Sequence, residues 1–298
     1  MKTLDKRIND DIIERLNGNP ISEAKILSPA IRMNSDEATE GFSTWGLPGY
    51  FCGNRDADTV VVNLNPGMDA HLADCMWTCK TLSFNHSSPD LFIKDFKNYS
   101  KYYGKIDKER PDSFDVKQAA FFYEWGADSG LNLPEKTPSG WEDKSFCLDA
   151  KEAILMNKLQ LELVPYASAK FTIDKGGKHL FFPYVETLLH EIFRKKRKYI
   201  VFASAIFEGI FEAYNNDKKW VAGSFDLKRE EKIFDPKLFI KKDGTPMKSA
   251  LKCKQITLVF NGEEQKALIA HSFPSQSIGR AFDIMQKYGK FCHDEYIK

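Results

Sequence analysis

The chain has 298 residues, of which 42% are hydrophobic and 29% charged, and its net charge at pH 7 is +1. That length admits one large domain or two small ones, and the composition supports a packed core beneath an ordinary charged surface. The balance of charge counts against a broad polyanion-binding surface and leaves a local basic groove as the electrostatic route to nucleic acid.

No apolar run approaches the ~20 residues that a membrane span needs. The N-terminal "MKTLDKRINDDIIERL" sets acids among its apolar residues, unlike a signal or transit peptide. The expectation is a cytoplasmic protein with no membrane contact. Cysteines stand at 52, 75, 79, 147, 253 and 292, and without a secretion signal they are expected as reduced thiols. Cys75 and Cys79 share a face at helical spacing, but the further ligands of a zinc or iron–sulfur site are not at motif spacing. No metal and no cofactor are expected.

The first element in chain order is "TVVVNL" (59–64), a short β-branched run that ends at a turn signal. "PDLFIKDFKNYSKYYG" (89–104) has apolar residues at near-helical spacing. A second buried strand reads from "LQLELV" (159–164). "PYVETLLHEIFRKKR" (183–197) opens on proline and closes on bases, as a helix does. "KYIVFAS" (198–204) is the third strand and "SAIFEGIFEAYNN" (204–216) a further helix. Residues 217–262 alternate charged and apolar residues around the turn signals "DGT" and "NGEE". They read as a β-rich insertion off the core, an antiparallel hairpin. "KALIAHS" (266–272) is the fourth strand, and "PSQSIGRAFDIMQKYGKF" (274–291) a helix that starts at a serine cap.

Strands that alternate with helices imply parallel βαβ units. The expected fold is an α/β protein, a three-layer α/β/α sandwich with a central, mainly parallel four-stranded sheet. With no repeat or low-complexity linker, residues 1–298 read as a single domain with an N-terminal extension (1–45) and the insertion at 217–262. Nothing in the sequence sets the oligomeric state.

Ligands of open parallel sheets bind at the carboxyl ends of the strands. Those ends read "NLNPGMD", "ELVPYASAKF", "ASAIFEG" and "HSFPSQS". Here "GYFCGNRDADTVVVNLNPG" resembles the first motif of the uracil-DNA glycosylase superfamily, in which a hydrophobic strand runs into an Asn-Pro-Gly or Asp-Pro-Tyr turn. "HSFPSQSIGRAF" is similar to that superfamily's closing motif, and "LELVPYAS" stands where its second strand and base-reading residue lie. The resemblance rests on short motifs in the right order over residues 50 to 290. It implies hydrolysis of an N-glycosidic bond in DNA, with the base flipped into a pocket.

The chemistry requires a positioned water, stabilisation of an oxocarbenium-like centre and help for a departing anionic base. Under the resemblance, Asn65 positions the water, and as a neutral amide it orients without deprotonating. His271 hydrogen-bonds the base carbonyl as charge develops there. Pro66 and Gly67 fix a tight turn that lets base or sugar approach the backbone, and Asn63, where relatives often have glycine, joins the substrate-binding set. Trp77 reads first as a core-packing residue and, under the resemblance, is the candidate to stack on an extruded base. Glu162 takes the place of the asparagine that reads uracil in many relatives, which turns a donor into an acceptor. Tyr166, Ser168 and Arg280 join the substrate-binding set, and Ser275 and Ser277 would hold a phosphate at the start of the last helix. Each has a plainer reading as turn, cap or packing residue. The rival functions are a non-catalytic nucleotide or nucleic-acid binder that keeps the fold, and a hydrolase or transferase of a small phosphorylated metabolite. The run "RKKRK" (194–198) lies at the amino edge of the sheet and reads as a helix C-terminus dressed with cations, not as a DNA contact.

Overall fold

Val60, Val61 and Val62 are fully buried, and the strand that carries them, β2 (Thr59–Asn63), has a parallel partner on each side. The computed structural model describes residues 2–31, 41–44, 48–65, 113–166, 168, 171–173, 176–234, 251–271 and 281–298. The other strands are β1 (Phe51–Gly53), β3 (Lys158–Glu162), β4 (Tyr199–Phe202), β5 (Gly223–Asp226), β6 (Lys232–Phe234), β7 (Leu251–Phe260) and β8 (Glu263–Ala270). They form one mixed sheet in the order β1-β3-β2-β4-β8-β7-β5, with β6 also paired to β7. Seven α-helices are described: α1 (Leu4–Leu16), α2 (Ser22–Leu27), α3 (Ser113–Phe122), α4 (Lys144–Asn157), α5 (Phe182–Ile192), α6 (Ile206–Asn216) and α7 (Ala281–Ile297).

Both faces of the inner strands are apolar because both are covered. Val60, Val62, Leu159, Leu161, Ile200, Phe202 and Ile269 pack with residues of α1, α2, α5 and α6. Val61, Val201, Leu268 and Ala270 pack with residues of α3, α4 and α7 on the opposite face. Helices α3 and α4 lie in the connection from β2 to β3, and α5 in the connection from β3 back across to β4. Crossovers of one hand that run in opposite directions must use opposite faces. The chain therefore changes face between β2 and β4.

The four strands read from the sequence are neighbours in this sheet, joined by the parallel pairings β3–β2, β2–β4 and β4–β8. The sheet is larger and more mixed than the four-stranded expectation. The described part of 217–262 is not an excursion from the core: β5, β6 and β7 extend the central sheet. The cause is local. Asn261 and Gly262 connect β7 to β8 with φ of 50° and 83°, the left-handed pair that a two-residue hairpin turn demands. The turn lays β7 antiparallel on β8 over eight residue pairs. The helix expected at 89–104 lies outside the described residues, as does the start of the one expected at 274–291; α7 continues that segment to Ile297. No helix among the described residues is long and apolar enough to cross a membrane.

The basic run after α5 is structural. Arg197, only 4% exposed, donates from Nε to the Ile192 carbonyl at 3.1 Å and from Nη2 to the Glu191 carbonyl at 3.1 Å. Its Nη1 donates to the carbonyls of Arg55 at 2.9 Å and Ala57 at 2.6 Å. One guanidinium thus caps the helix and ties it to the turn before β2. Lys195 pairs with Asp58 at 2.7 Å and Arg194 with Glu191 at 2.9 Å. An ammonium cannot span four carbonyls laid out for a planar fork. Arg197→Lys should therefore cost about 2 kcal/mol or more in urea unfolding, whereas Lys196→Ala, at an exposed position, should stay within about 0.5 kcal/mol. Equal effects of the two substitutions would remove Arg197 from this role.

Candidate functional site

The register of β2 on β3 sets Asn63 opposite Glu162 at the carboxyl ends of both strands. Asn63 Nδ2 donates to Glu162 Oε1 at 3.2 Å. Past the strands the two segments stay side by side, Leu163 donating its amide to the Asn63 carbonyl at 2.8 Å and Val164 to the Leu64 carbonyl at 2.9 Å. Asn65 then meets the loop after β3: its Nδ2 donates to Ser168 Oγ at 2.8 Å and to the Tyr166 carbonyl at 3.2 Å. Four of the expected residues, Asn63, Asn65, Glu162 and Ser168, are joined in this way. The valine strand ends in asparagines because they knit the ends of two strands together.

A polar row runs along β3 toward this point. Leu159 and Leu161 face the α5 side, so Lys158, Gln160 and Glu162 alternate onto the other face. Lys158 is wholly buried; its Nζ donates to Gln118 Oε1 and, at 2.8 Å, to Gln160 Oε1, with Asp115 at 3.9 Å. Gln160 Nε2 donates to Glu162 Oε1 at 2.8 Å. Glu162 Oε1 thus accepts two amide donors, while Oε2 is buried and has no hydrogen-bond partner among the described residues. Burial raises the Glu162 carboxyl to about 7 against the lowering pull of the Gln160 and Asn63 amides and of Lys158. The expectation at 159–164 is a buried strand without a polar face. The signal was present as a period-2 alternation in "KLQLE".

Tyr166 is placed differently from the expectation. Its ring is buried in the core on the α5 side, and only its carbonyl touches the site. The hydroxyl donates to Asp11 Oδ2 at 2.9 Å, and Tyr50 donates to the same oxygen at 2.7 Å. Tyr184 closes the group, 3.3 Å from the Tyr166 hydroxyl and 2.7 Å from Glu23 Oε2, with the Arg7 guanidinium 4.0 Å over its ring. Asp11, on α1, anchors the loop from below. Burial raises its carboxyl to about 7, more than its two tyrosine hydrogen bonds lower it.

His271 follows β8 and is half-buried; its amide donates to the Tyr288 hydroxyl at 2.8 Å, which donates in turn to the Lys252 carbonyl. Phe202 of β4 pairs with both Val62 and Ile269. His271 and Asn65 therefore leave the same edge of the sheet, two strands or about 10 Å apart. Pro66, Gly67, Trp77, Ser275, Ser277 and Arg280 lie outside the described residues. Among the described residues there is no cluster that could hold a metal ion, and Cys52, Cys147, Cys253 and Cys292 are buried free thiols.

No family model, curated protein or solved structure matches the chain. The site is read from its own geometry. Asn63 and Asn65 leave β2 where the connections change face, and β4 stands beside it. In an open α/β sheet the ligand crevice forms at that switch point.

Asp11 and Glu162 give the protein a pH signature. Each carboxyl is raised in the folded state, so the fold holds more protons than the unfolded chain between the ordinary carboxylate range and about 7. Stability should be greatest on the acid side of that window and fall as pH rises through it, by roughly 3 kcal/mol per group. Urea unfolding of Glu162→Gln and Asp11→Asn should each show a flatter slope between about pH 5 and 7. A slope unchanged in both variants would count against this assignment.

Proposed function

We propose that the chain binds a nucleobase at this switch point and hydrolyses its N-glycosidic bond in DNA, in the manner of the uracil-DNA glycosylase superfamily that its motifs resemble. One observation carries the reading. Residues 99 positions apart, Asn63 and Glu162, are hydrogen-bonded at the carboxyl ends of adjacent parallel strands, with Asn65 tied to the same loop. The four inner strands would be the core of a three-layer α/β/α sandwich, and β1, β5, β6 and β7 additions to it.

In this reading the side chains divide the reaction. Asn65 has its amide nitrogen committed to Ser168 and the Tyr166 carbonyl, so its orientation is fixed and it presents water to the sugar without taking a proton. The leaving base must then carry most of the driving force. His271 meets the charge that develops on the base, an interaction stronger in the transition state than in the ground state. Glu162 and Asn63 read the base edge.

The test is a panel of oligonucleotides, each with one target base, scored for alkali-labile abasic sites. Asn65→Ala should abolish release and, through its two lost hydrogen bonds to the loop, cost about 1–2 kcal/mol in urea unfolding, too little to unfold the protein. His271→Ala should slow release roughly 100-fold and leave DNA binding in a mobility-shift assay unchanged. Release at the parent rate by both variants, or no release from any member of the panel, would overturn the hydrolase reading.

A further inference from the structure

The polar row on β3 has a direction. The Lys158 ammonium can only donate, so Gln160 must turn its carbonyl oxygen to Lys158 and its amide nitrogen to Glu162. The amide flip of Gln160, open for an isolated glutamine, is settled by the charge beside it. Asn63 adds a second donor to the same carboxylate oxygen. Glu162 Oε1 is therefore filled, and Oε2 stands at the end of the row as a buried acceptor with no donor among the described residues. A buried polar atom left in that state costs about 1–3 kcal/mol, more when charged, and calls for a missing partner. Glu162 is 8% exposed.

We propose that Glu162 Oε2 is the acceptor for the exocyclic amine of the bound base, so that the site takes an amino-bearing base in preference to its oxo counterpart. The assignment rests on the base-binding reading above. A carboxylate is the side chain that accepts from an amine such as cytosine N4. An oxo group at the same position sets its lone pairs against those of Oε2, and a ring N–H between two carbonyls brings both oxygens toward the carboxylate.

The same polarity makes the variant informative. In Glu162→Gln, the Gln160 and Asn63 donors hold the new carbonyl oxygen at the Oε1 position, and the new amide nitrogen falls at Oε2. Acceptor becomes donor, and the preference should invert.

The experiment measures binding of four free bases by equilibrium dialysis at about pH 8, where the raised carboxyl is ionised. Cytosine is compared with uracil, and adenine with hypoxanthine, each pair differing in an amine against an oxo group. The parent protein should bind the amino member of at least one pair ~10-fold or more tightly, and Glu162→Gln should favour the oxo member of that pair. A parent preference for the oxo members overturns the assignment, and so does one preference shared by both proteins; in each case the base site itself stands. Binding of none of the four by the parent overturns the base site along with it. If Glu162→Gln fails to fold by circular dichroism, the parent's choice within each pair decides the question alone.

Discussion

The parallel register of β2 on β3 is the constraint from which the site follows. Setting Thr59 beside Lys158 fixes every later pair, down to Asn63 beside Glu162. Because β2 is apolar on both faces, it is β3 that feels a slip: moved by one residue, Lys158, Gln160 and Glu162 would turn into the apolar cluster that now holds Leu159 and Leu161. The core thus enforces the register, and the register delivers two polar side chains to one point at the strand ends. Packing and site are set by the same pairing.

Two buried polar networks flank that point from opposite faces of the sheet. Lys158, Gln160 and Glu162 approach on the α3 side. Asp11, Tyr50, Tyr166 and Tyr184 approach on the α5 side. The loop after β3 touches the second of them directly: the Tyr166 hydroxyl donates to Asp11, and its carbonyl accepts from Asn65. The N-terminal helix, part of the expected extension at 1–45, therefore reaches the site through Asp11. Its carboxylate fixes a loop that other elements use.

Much of the sheet was legible because buried parallel strands are nearly pure apolar runs. "TVVVN", "YIVF" and the apolar end of β8 announce themselves in this way. β7 did not, because its burial alternates and its neighbours in sequence are charged. Only the Asn-Gly turn marks it as the partner of β8. The strand-end asparagines stood out as turn residues, but their partners are set by long-range register, which no local pattern carries. Tyr166 shows the limit most plainly: its position in sequence put it at the site, and its side chain went to the other face. Arg197 was legible as a cation near a helix end, but not as the holder of four carbonyls.

The way β7 is covered bears on how the sheet avoids other chains. Its outer edge is paired not with one long strand but with two short ones in tandem, β5 on residues 257–260 and β6 on residues 251–253. The opposite end of the sheet is the three-residue β1. Among the described residues, neither border presents a long, flat ladder of unpaired backbone groups of the kind that recruits a foreign strand. An eight-stranded sheet with so apolar an interior would be an aggregation hazard if its margins were long. Short margins let the interior be as apolar as the core requires, while keeping intermolecular β-pairing from starting at the sheet's own ends.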